Sequence, residues 1–276
     1  MNMIFKNILL TCSIAMTACS TLNAKDKPLN FTQKVNVFGV TIVATDTVPE
    51  GKLLHAASVM AEYLDNDQDG KADNELLVKT IRLQKAVLVM VEQEEDMEYF
   101  RESMLTEHGI EVGIGQDLYA TETHPNGAAN GVFDATLEEV LHLISNAGYE
   151  KLYPNTFSTR PGSAQSNAMD IARGGVFKSI PNHYPKQAWY SYYDPTCDYE
   201  CQGGEYFYWS LTTLLGAQDY GWRKKAISDE WRLYTPQEFI EGDTAMYQLL
   251  SSPTYKIPTV LPNGKYKAIK LEILSL

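Results

Sequence analysis

Apolar residues along this 276-residue chain change their spacing from stretch to stretch, and the spacing predicts the elements. KVNVFGVTIVAT (34–45) is rich in β-branched residues on both sides of Phe38-Gly39, which predicts a strand or a tight hairpin. Leu53, Leu54, Ala57, Met60, Ala61 and Leu64 form a stripe of helical period, and Thr47-Val48-Pro49-Glu50 ahead of it has capping-box spacing. A helix is therefore expected over about 49–64. NELLVKTIRLQ (74–84) reads as a second helix, KAVLVMV (85–91) as a buried strand, and MEYFRESMLTEHG (97–109) as a third helix stopped by Gly109. IEVGIGQDLYATET (110–123) is extended and leads into DATLEEVLHLISNAGY (134–149), which reads as one amphipathic helix. Beyond residue 150 strand signals thin out, and EYFYWSLTTLLGAQ (205–218) is the clearest helix. The plan is α+β: a small N-terminal sheet with helices over 35–150, then a mainly helical, loop-rich half over 151–276.

The first residues set the compartment, and with it the chemistry open to the rest. MNMIFKNILLTCSIAMTACS carries one positive charge at Lys6, an apolar run over 8–16 too short to span a bilayer, and small residues before Cys19. Met16-Thr17-Ala18-Cys19 resembles the lipobox of bacterial lipoproteins. That resemblance implies a signal peptide over 1–18, lipidation of Cys19 and anchoring of an otherwise soluble protein to the membrane. Ser20 after the cysteine implies sorting to the outer membrane, with the domain on the periplasmic or cell-surface side. Residues 19–34, without hydrophobic period, read as a tether. Losing 1–18 takes one of the 23 Lys and Arg, Lys6, and none of the 35 Asp and Glu, so the net charge of −12 becomes −13. That balance excludes nucleic acid as a partner. Cys197 and Cys201 in TCDYECQGG then read as a local disulfide, as an oxidising compartment favours, with a two-cysteine metal clamp as the lesser alternative.

LDNDQDGKADNEL (64–76) carries the clearest ligand pattern. Asp65, Asp67 and Asp69 alternate, Gly70 allows a sharp turn, Lys71 offers its backbone carbonyl, and Asp73 holds the ninth position. The stretch resembles the EF-hand loop over about 12 residues, which implies Ca²⁺. It departs at the twelfth position, where Leu76 stands and Glu75 comes one residue early, so either Glu75 reaches in as the last ligand or Asp73 and waters complete the shell. A single such loop suits a structural clip rather than a sensor.

The helix over 134–149 admits two readings. Thr136-Leu137-Glu138-Glu139 fits a capping box, and acidic residues in a first turn complement the helix dipole. Yet Glu138 and His142 are four apart and share a face, with Glu139 beside them. This arrangement resembles the zincin metallopeptidase helix His-Glu-x-x-His, with Glu138 in place of the first histidine. The resemblance implies His142 and Glu138 as ligands of Zn²⁺, or of Mn²⁺ or Fe²⁺ given the harder donor set, and Glu139 as the base that activates water. It also implies a distant third ligand. Glu205, opening an apolar helix after Gly203-Gly204, is the first candidate, with Asp170 and His183 behind it. Tyr190, Tyr192 or Tyr193 is expected to donate to a developing oxyanion, and GQDLYATETH (115–124) to pair with a peptide substrate by strand addition.

Other chemistries are excluded. Glu139-x-x-His142 has no second copy for a di-iron site, Gly113-Ile114-Gly115 is followed by Leu118 and makes no dinucleotide loop, and no Walker loop or Gly-x-Ser-x-Gly elbow occurs. The expectation is a calcium-binding, lipid-anchored protein with a metal-dependent peptidase site. The alternative left open is a non-catalytic, calcium-stabilised binding or scaffold lipoprotein whose helix is merely capped.

Overall fold

The computed structural model describes residues 29–276, so the leader, Cys19 and the tether up to residue 28 lie outside the described residues. The end of the expected tether is not loose: β1 spans Phe31–Val37. Phe31 is buried and meets Phe100 edge-to-face with ring centroids 5.8 Å apart, which recruits those residues into the sheet. β1 and β2 (Val40–Thr45) form the antiparallel hairpin the pattern predicts, turning at Phe38 and Gly39, both at positive φ.

α1 (Glu50–Leu64) begins where expected but without a capping box: Pro49 is its N-cap, and the Thr47 hydroxyl bonds that of Thr45 at 2.9 Å. α2 (Glu75–Leu83) is capped by Asn74, whose side-chain oxygen accepts from Leu77 N at 3.1 Å. β3 (Ala86–Val91) is buried along its whole length. Ala86, Leu88 and Met90 join one hydrophobic cluster and Val87, Val89 and Val91 the other, as a strand covered on both faces requires.

The third expected helix is broken. A 3₁₀ turn (Glu94–Tyr99) gives way at Phe100 and Arg101, both extended, to the short α3 (Glu102–Thr106), because Phe100 turns inward against the sheet. The segment does end at Gly109, where φ is positive. β4 (Ile114–Tyr119) pairs parallel with β3, β3 parallel with β2, and the two-residue β5 (Leu274–Ser275) antiparallel with β1, giving the order β4-β3-β2-β1-β5.

The single amphipathic helix expected over 134–149 divides into α4 (Thr136–Ile144), a π turn (Ser145–Tyr149) and α5 (Glu150–Leu152). α6 (Pro154–Phe157) and α7 (Ala164–Ala172) follow, then a long loop to α8 (Tyr199–Leu214). α9 (Gly221–Ala226), α10 (Pro236–Gly242) and α11 (Thr244–Leu250) complete the helices. One cluster runs from Val35 to Tyr266 through both sequence halves, so residue 150 falls inside a continuous helical run rather than between separate cores. Among the described residues no helix is long and apolar enough to cross a membrane.

α4 is fixed by Asp134, not by its expected capping box. Its N-cap is Ala135, which makes no side-chain cap bond. Asp134 Oδ1 accepts from the backbone N–H of His124 at 3.0 Å and of Thr136 at 3.2 Å, while Oδ2 meets His55 Nε2 of α1 at 2.6 Å. Burial alone would raise the Asp134 carboxyl, but the His55 hydrogen bond and charge, the His124 N–H and the Thr136 side chain prevail and hold it below its ordinary value. A depressed carboxylate stabilises the fold above its unfolded value, and the contribution disappears as pH falls through the lower folded one. Asp134→Ala is therefore expected to cost about 3 kcal/mol at neutral pH. In urea melts the gap between wild type and Asp134→Asn should be full at pH 7 and close below about pH 4; a gap independent of pH would contradict this assignment.

Candidate metal centre

Two helices bring the ionisable groups together. On α4, Val140, Leu141, Leu143 and Ile144 are buried in the core, leaving Glu138, Glu139 and His142 along the side that meets β4 and α8. α8 starts at Tyr199, earlier than the apolar pattern suggests, because the Asp198 side chain caps it through Cys201 N at 2.8 Å. The expected disulfide joins Cys197 and Cys201 at that cap, with Cα atoms 5.3 Å apart. Gly203 then lets the helix approach its neighbour, while Gly204 leaves room. A Cβ on Gly203 would lie 2.9 Å from Thr159 Cβ, whereas one on Gly204 would lie 3.9 Å from both Asn146 Oδ1 and His142 Nδ1.

The next residue, Glu205, completes the group. His142 Nε2 lies 3.4 Å from Glu205 Oε2 and 3.8 Å from Glu138 Oε1, and one ligand atom from each of the three lies within 4.8 Å of the others. His142 and Glu205 are buried, whereas 24% of the Glu138 side chain is exposed, so the group opens to solvent on the Glu138 side. Burial works against charge on the imidazole, yet the charge of Glu205, hydrogen bonding to Glu138 and Glu205 and the charge of Glu139 raise His142 to about 10. A proton and a divalent ion compete for the same place between these carboxylates.

Glu139 sits beside this group and is half-buried. Its Oε2 accepts from Gln116 Nε2 of β4 at 2.6 Å. Burial, opposed by the His142 charge and reinforced by Glu138, Asp117 and Glu122, lifts its carboxyl well above the usual range. Two further carboxyls feel the same field. Glu122 is raised to about 7 by burial, against the Tyr119 N–H and with Glu138 and Asp117 adding; Glu230 is raised to about 7 by burial with Glu205, Asp229 and Glu138.

The tyrosines divide. Tyr190 is fully buried, its hydroxyl donates to Gln202 O at 2.8 Å, and it packs on Tyr206 and Trp231, so it is a core residue and not the expected oxyanion donor. Tyr192 is half-buried, and its phenol is raised by burial and by the charges of Glu205, Glu230 and Glu138, which places it at the site. Tyr193 is exposed and stacks edge-on against Tyr184. Asp170 pairs instead with buried Arg173 at 2.6 Å and with the Tyr199 hydroxyl at 2.9 Å, and His183 is exposed. Gln116, Glu122, Glu230 and Tyr208 were not evident from the sequence. Only Tyr208 left a trace, three residues after Glu205 on one helix face; the others come from elements whose proximity only the fold supplies.

The aspartate loop between α1 and α2 forms a second group. Asp65, Asp67 and Asp73 each bring a carboxylate oxygen within 4.8 Å of the others. Asp65 is fully buried and accepts from Asp69 N at 3.1 Å, Gly70 N at 2.9 Å and the Tyr266 hydroxyl. Asp73 accepts from Asn66 N at 2.8 Å, and its carboxyl is raised by burial, against that N–H and with Asp67, Asp65 and Asp69 adding. Two expected ligands stand outside the group. Asp69 Oδ1 accepts from Lys71 N at 2.8 Å, and Glu75 is exposed in the first turn of α2, held there by the Asn74 cap. The Lys71 side chain is exposed, which leaves the residue only its backbone for a ligand.

The glycine pair yields a test with opposite signs at adjacent positions. Gly203→Ala is expected to destabilise the protein by about 1–3 kcal/mol, since Thr159 Cα also lies 3.2 Å from the added carbon and cannot rotate away. Gly204→Ala should be neutral or stabilising by up to about 1 kcal/mol, as a helical Gly→Ala change with room for the methyl. Thermal melts of both variants decide it, and equal effects would contradict the packing described. None of the known protein families, curated proteins or solved structures compared with this chain matches it.

Proposed function

We propose that this chain is a calcium-stabilised, lipid-anchored extracytoplasmic protein with a metal-dependent peptidase site at Glu138, His142 and Glu205. The observation that carries this reading is the convergence of those three donors with Glu139 at their side, from two helices 63 residues apart at His142 and Glu205. One imidazole and two carboxylates around a partly open position fit the donor set of a catalytic divalent ion, zinc first and manganese or iron as the harder alternatives. When bound, the ion would supply a Lewis acid for a carbonyl and water activation near neutral pH.

The remaining work falls to this chain's own groups. Glu139, half-buried and bonded to Gln116, would take a proton from water and hand it to a leaving amine. Tyr192 is placed to donate to a developing oxyanion, the role expected of Tyr190. β4 is an edge strand of the sheet and carries Gln116, so an extended peptide laid along it would pass beside Glu139. Asp65, Asp67 and Asp73 with waters would hold Ca²⁺, which relieves the repulsion among them. The lipid anchor at Cys19 and outer-membrane location belong to the proposal on the strength of the lipobox resemblance.

One observation favours a second reading. A protonated His142 by itself can neutralise part of the charge of Glu138 and Glu205, so the same group also suits a non-catalytic binding or scaffold lipoprotein. Metal analysis separates the two. Wild type exposed to zinc, manganese and iron should retain a stoichiometric ion; His142→Ala and Glu205→Ala should lose it. Glu139→Gln should retain it while cleavage of a broad peptide library falls about 100-fold or more. Wild type that retains none of the three metals would leave the scaffold reading in place.

Calcium is tested separately. Calcium at about 100 times its dissociation constant should add about 2.7 kcal/mol of stability, read as a higher Tm than in chelator. Asp67→Ala, at an exposed position, should abolish the difference while Asp65 keeps its bond to Tyr266. Identical wild-type melting curves with and without calcium would reject the calcium site.

A further inference from the structure

Side chains alternate along a strand, so β4 turns Ile114, Gln116 and Leu118 to one face. Ile114 and Leu118 pack into the hydrophobic cluster that also holds Val140 and Leu141 of α4, and Leu118 is fully buried. Gln116 stands between them as the exception, a half-buried amide in an aliphatic row. Its hydrogen bond accounts for the exception. Gln116 Nε2 donates to Glu139 Oε2 at 2.6 Å, which joins the sheet to α4 across 23 positions of sequence.

That bond settles two things about the carboxylate. An ionised carboxylate offers acceptors only, so the amide must turn its Nε2 toward it, and a bond to a charged acceptor is among the stronger ones. Once Oε2 is held, rotation about the last side-chain bond of Glu139 is restricted, and Oε1 keeps its lone pairs for another donor. The donor itself stands on a rigid element. Gln116 lies opposite Leu88 in the parallel register that runs from Ala86↔Ile114 to Val91↔Tyr119, and the next strand, β2, continues the sheet beyond β3. The other end of the pair is equally fixed, since Glu139 N donates to Ala135 O at 2.9 Å in the first turn of α4. A glutamate without such a partner would have three side-chain torsions free to take it away from the water it must deprotonate.

We infer that Gln116 is the positioning residue for Glu139: by holding Oε2 from the sheet it fixes the carboxylate in one orientation and leaves Oε1 to take the proton from water. The inference rests on the peptidase reading above, in which Glu139 is the base. It also gives β4 a double task. The strand along which an extended peptide would lie is the strand that holds the base, so substrate and base are referred to one rigid element.

Steady-state cleavage of a peptide by the zinc-loaded protein, with zinc content and Tm measured on the same samples, tests it. Gln116→Met keeps the length and volume of the side chain and removes the donor. Its kcat should fall about 10- to 100-fold, the scale expected for a base displaced by roughly 1 Å, while KM and zinc content stay at the wild-type values. Gln116→His, whose Nε2 reaches nearly as far as the amide nitrogen, should recover most of the lost rate. Gln116→Glu, of the same size but with a carboxyl in place of the donor, should lose kcat as Gln116→Met does and serves where the methionine variant does not fold. A wild-type kcat in either donor-less variant would overturn the role of Gln116 and leave the peptidase reading standing, and so would a loss of zinc and Tm in proportion to the loss of rate. Wild type that cleaves no peptide with zinc, manganese or iron would overturn both, so the two failures are distinct.

Discussion

Two carboxylates and an imidazole enclosed between α4 and α8 impose a charge requirement that the surrounding structure is arranged to meet. Unit charges about 4 Å apart at an effective dielectric near 20 interact by about 4 kcal/mol, so a cation between Glu138 and Glu205 is strongly favoured. A protonated His142 is one such cation and a divalent ion is the other. The nearby carboxyls answer to the same field: Glu139, Glu122 and Glu230 are all raised, with burial as the first cause and Glu138 contributing to each. Aliphatic packing would have been the simpler content for this interior. Keeping ionisable groups there is costly unless each has a defined partner, and the partners are present: Gln116 for Glu139, and His142 for both Glu138 and Glu205.

The geometry of that cluster depends on segments far from it. α4 is fixed at its start by Asp134, and Asp134 by His55 of α1. His55 in turn lies under Gly264, where an added Cβ would sit 2.1 Å from its Nδ1 and where φ is positive, so only glycine lets the C-terminal segment cross. The crossing is held by Glu62, which accepts from the backbone N–H groups of Asn263, Gly264 and Lys265 at 2.7, 2.8 and 3.1 Å. It is held again at the aspartate loop. There Asn66 Oδ1 accepts from Thr259 N and Val260 N, both at 2.8 Å, and Tyr266 donates to Asp65. Order in the aspartate loop is thus transmitted to α1 and the C-terminal segment by hydrogen bonds, and from α1 to the start of α4 by the His55–Asp134 hydrogen bond. The second half of the chain is loop-rich, and such segments stay in place through side-chain anchors of this kind rather than through ladders.

What the sequence made legible follows the range of the forces involved. The hairpin, α1, α2 and β3 were readable because local period and burial agree, and the His142–Glu138 pair because four residues make one helical turn. The long helix over 97–109 failed because Phe100 is claimed by Phe31, a contact across 69 positions that no local period announces. Both capping boxes failed for a related reason. Spacing shows that a hydroxyl can reach an N–H, but Thr47 bonds Thr45 and Asp134 takes the N–H that opens α4. Glu205 was inferable because a carboxylate beginning an apolar helix requires a partner, and a requirement is visible even when the partner is not. Tyr190 was misread because WYSYYD offers three phenols and sequence alone does not give the face of a loop; the bridge between Tyr190 and Trp231 turns Tyr190 inward and leaves Tyr192 at the carboxylates. Glu75 was misread for a converse reason. Its place one residue from the ideal ligand position counted for less than the Asn74 cap, which commits Glu75 to the first turn of α2 and away from the aspartates. At Phe100 and Tyr190 the local pattern lost to a contact distant in sequence, whereas at Thr47, Thr136 and Glu75 it lost to a competing hydrogen bond a few residues away.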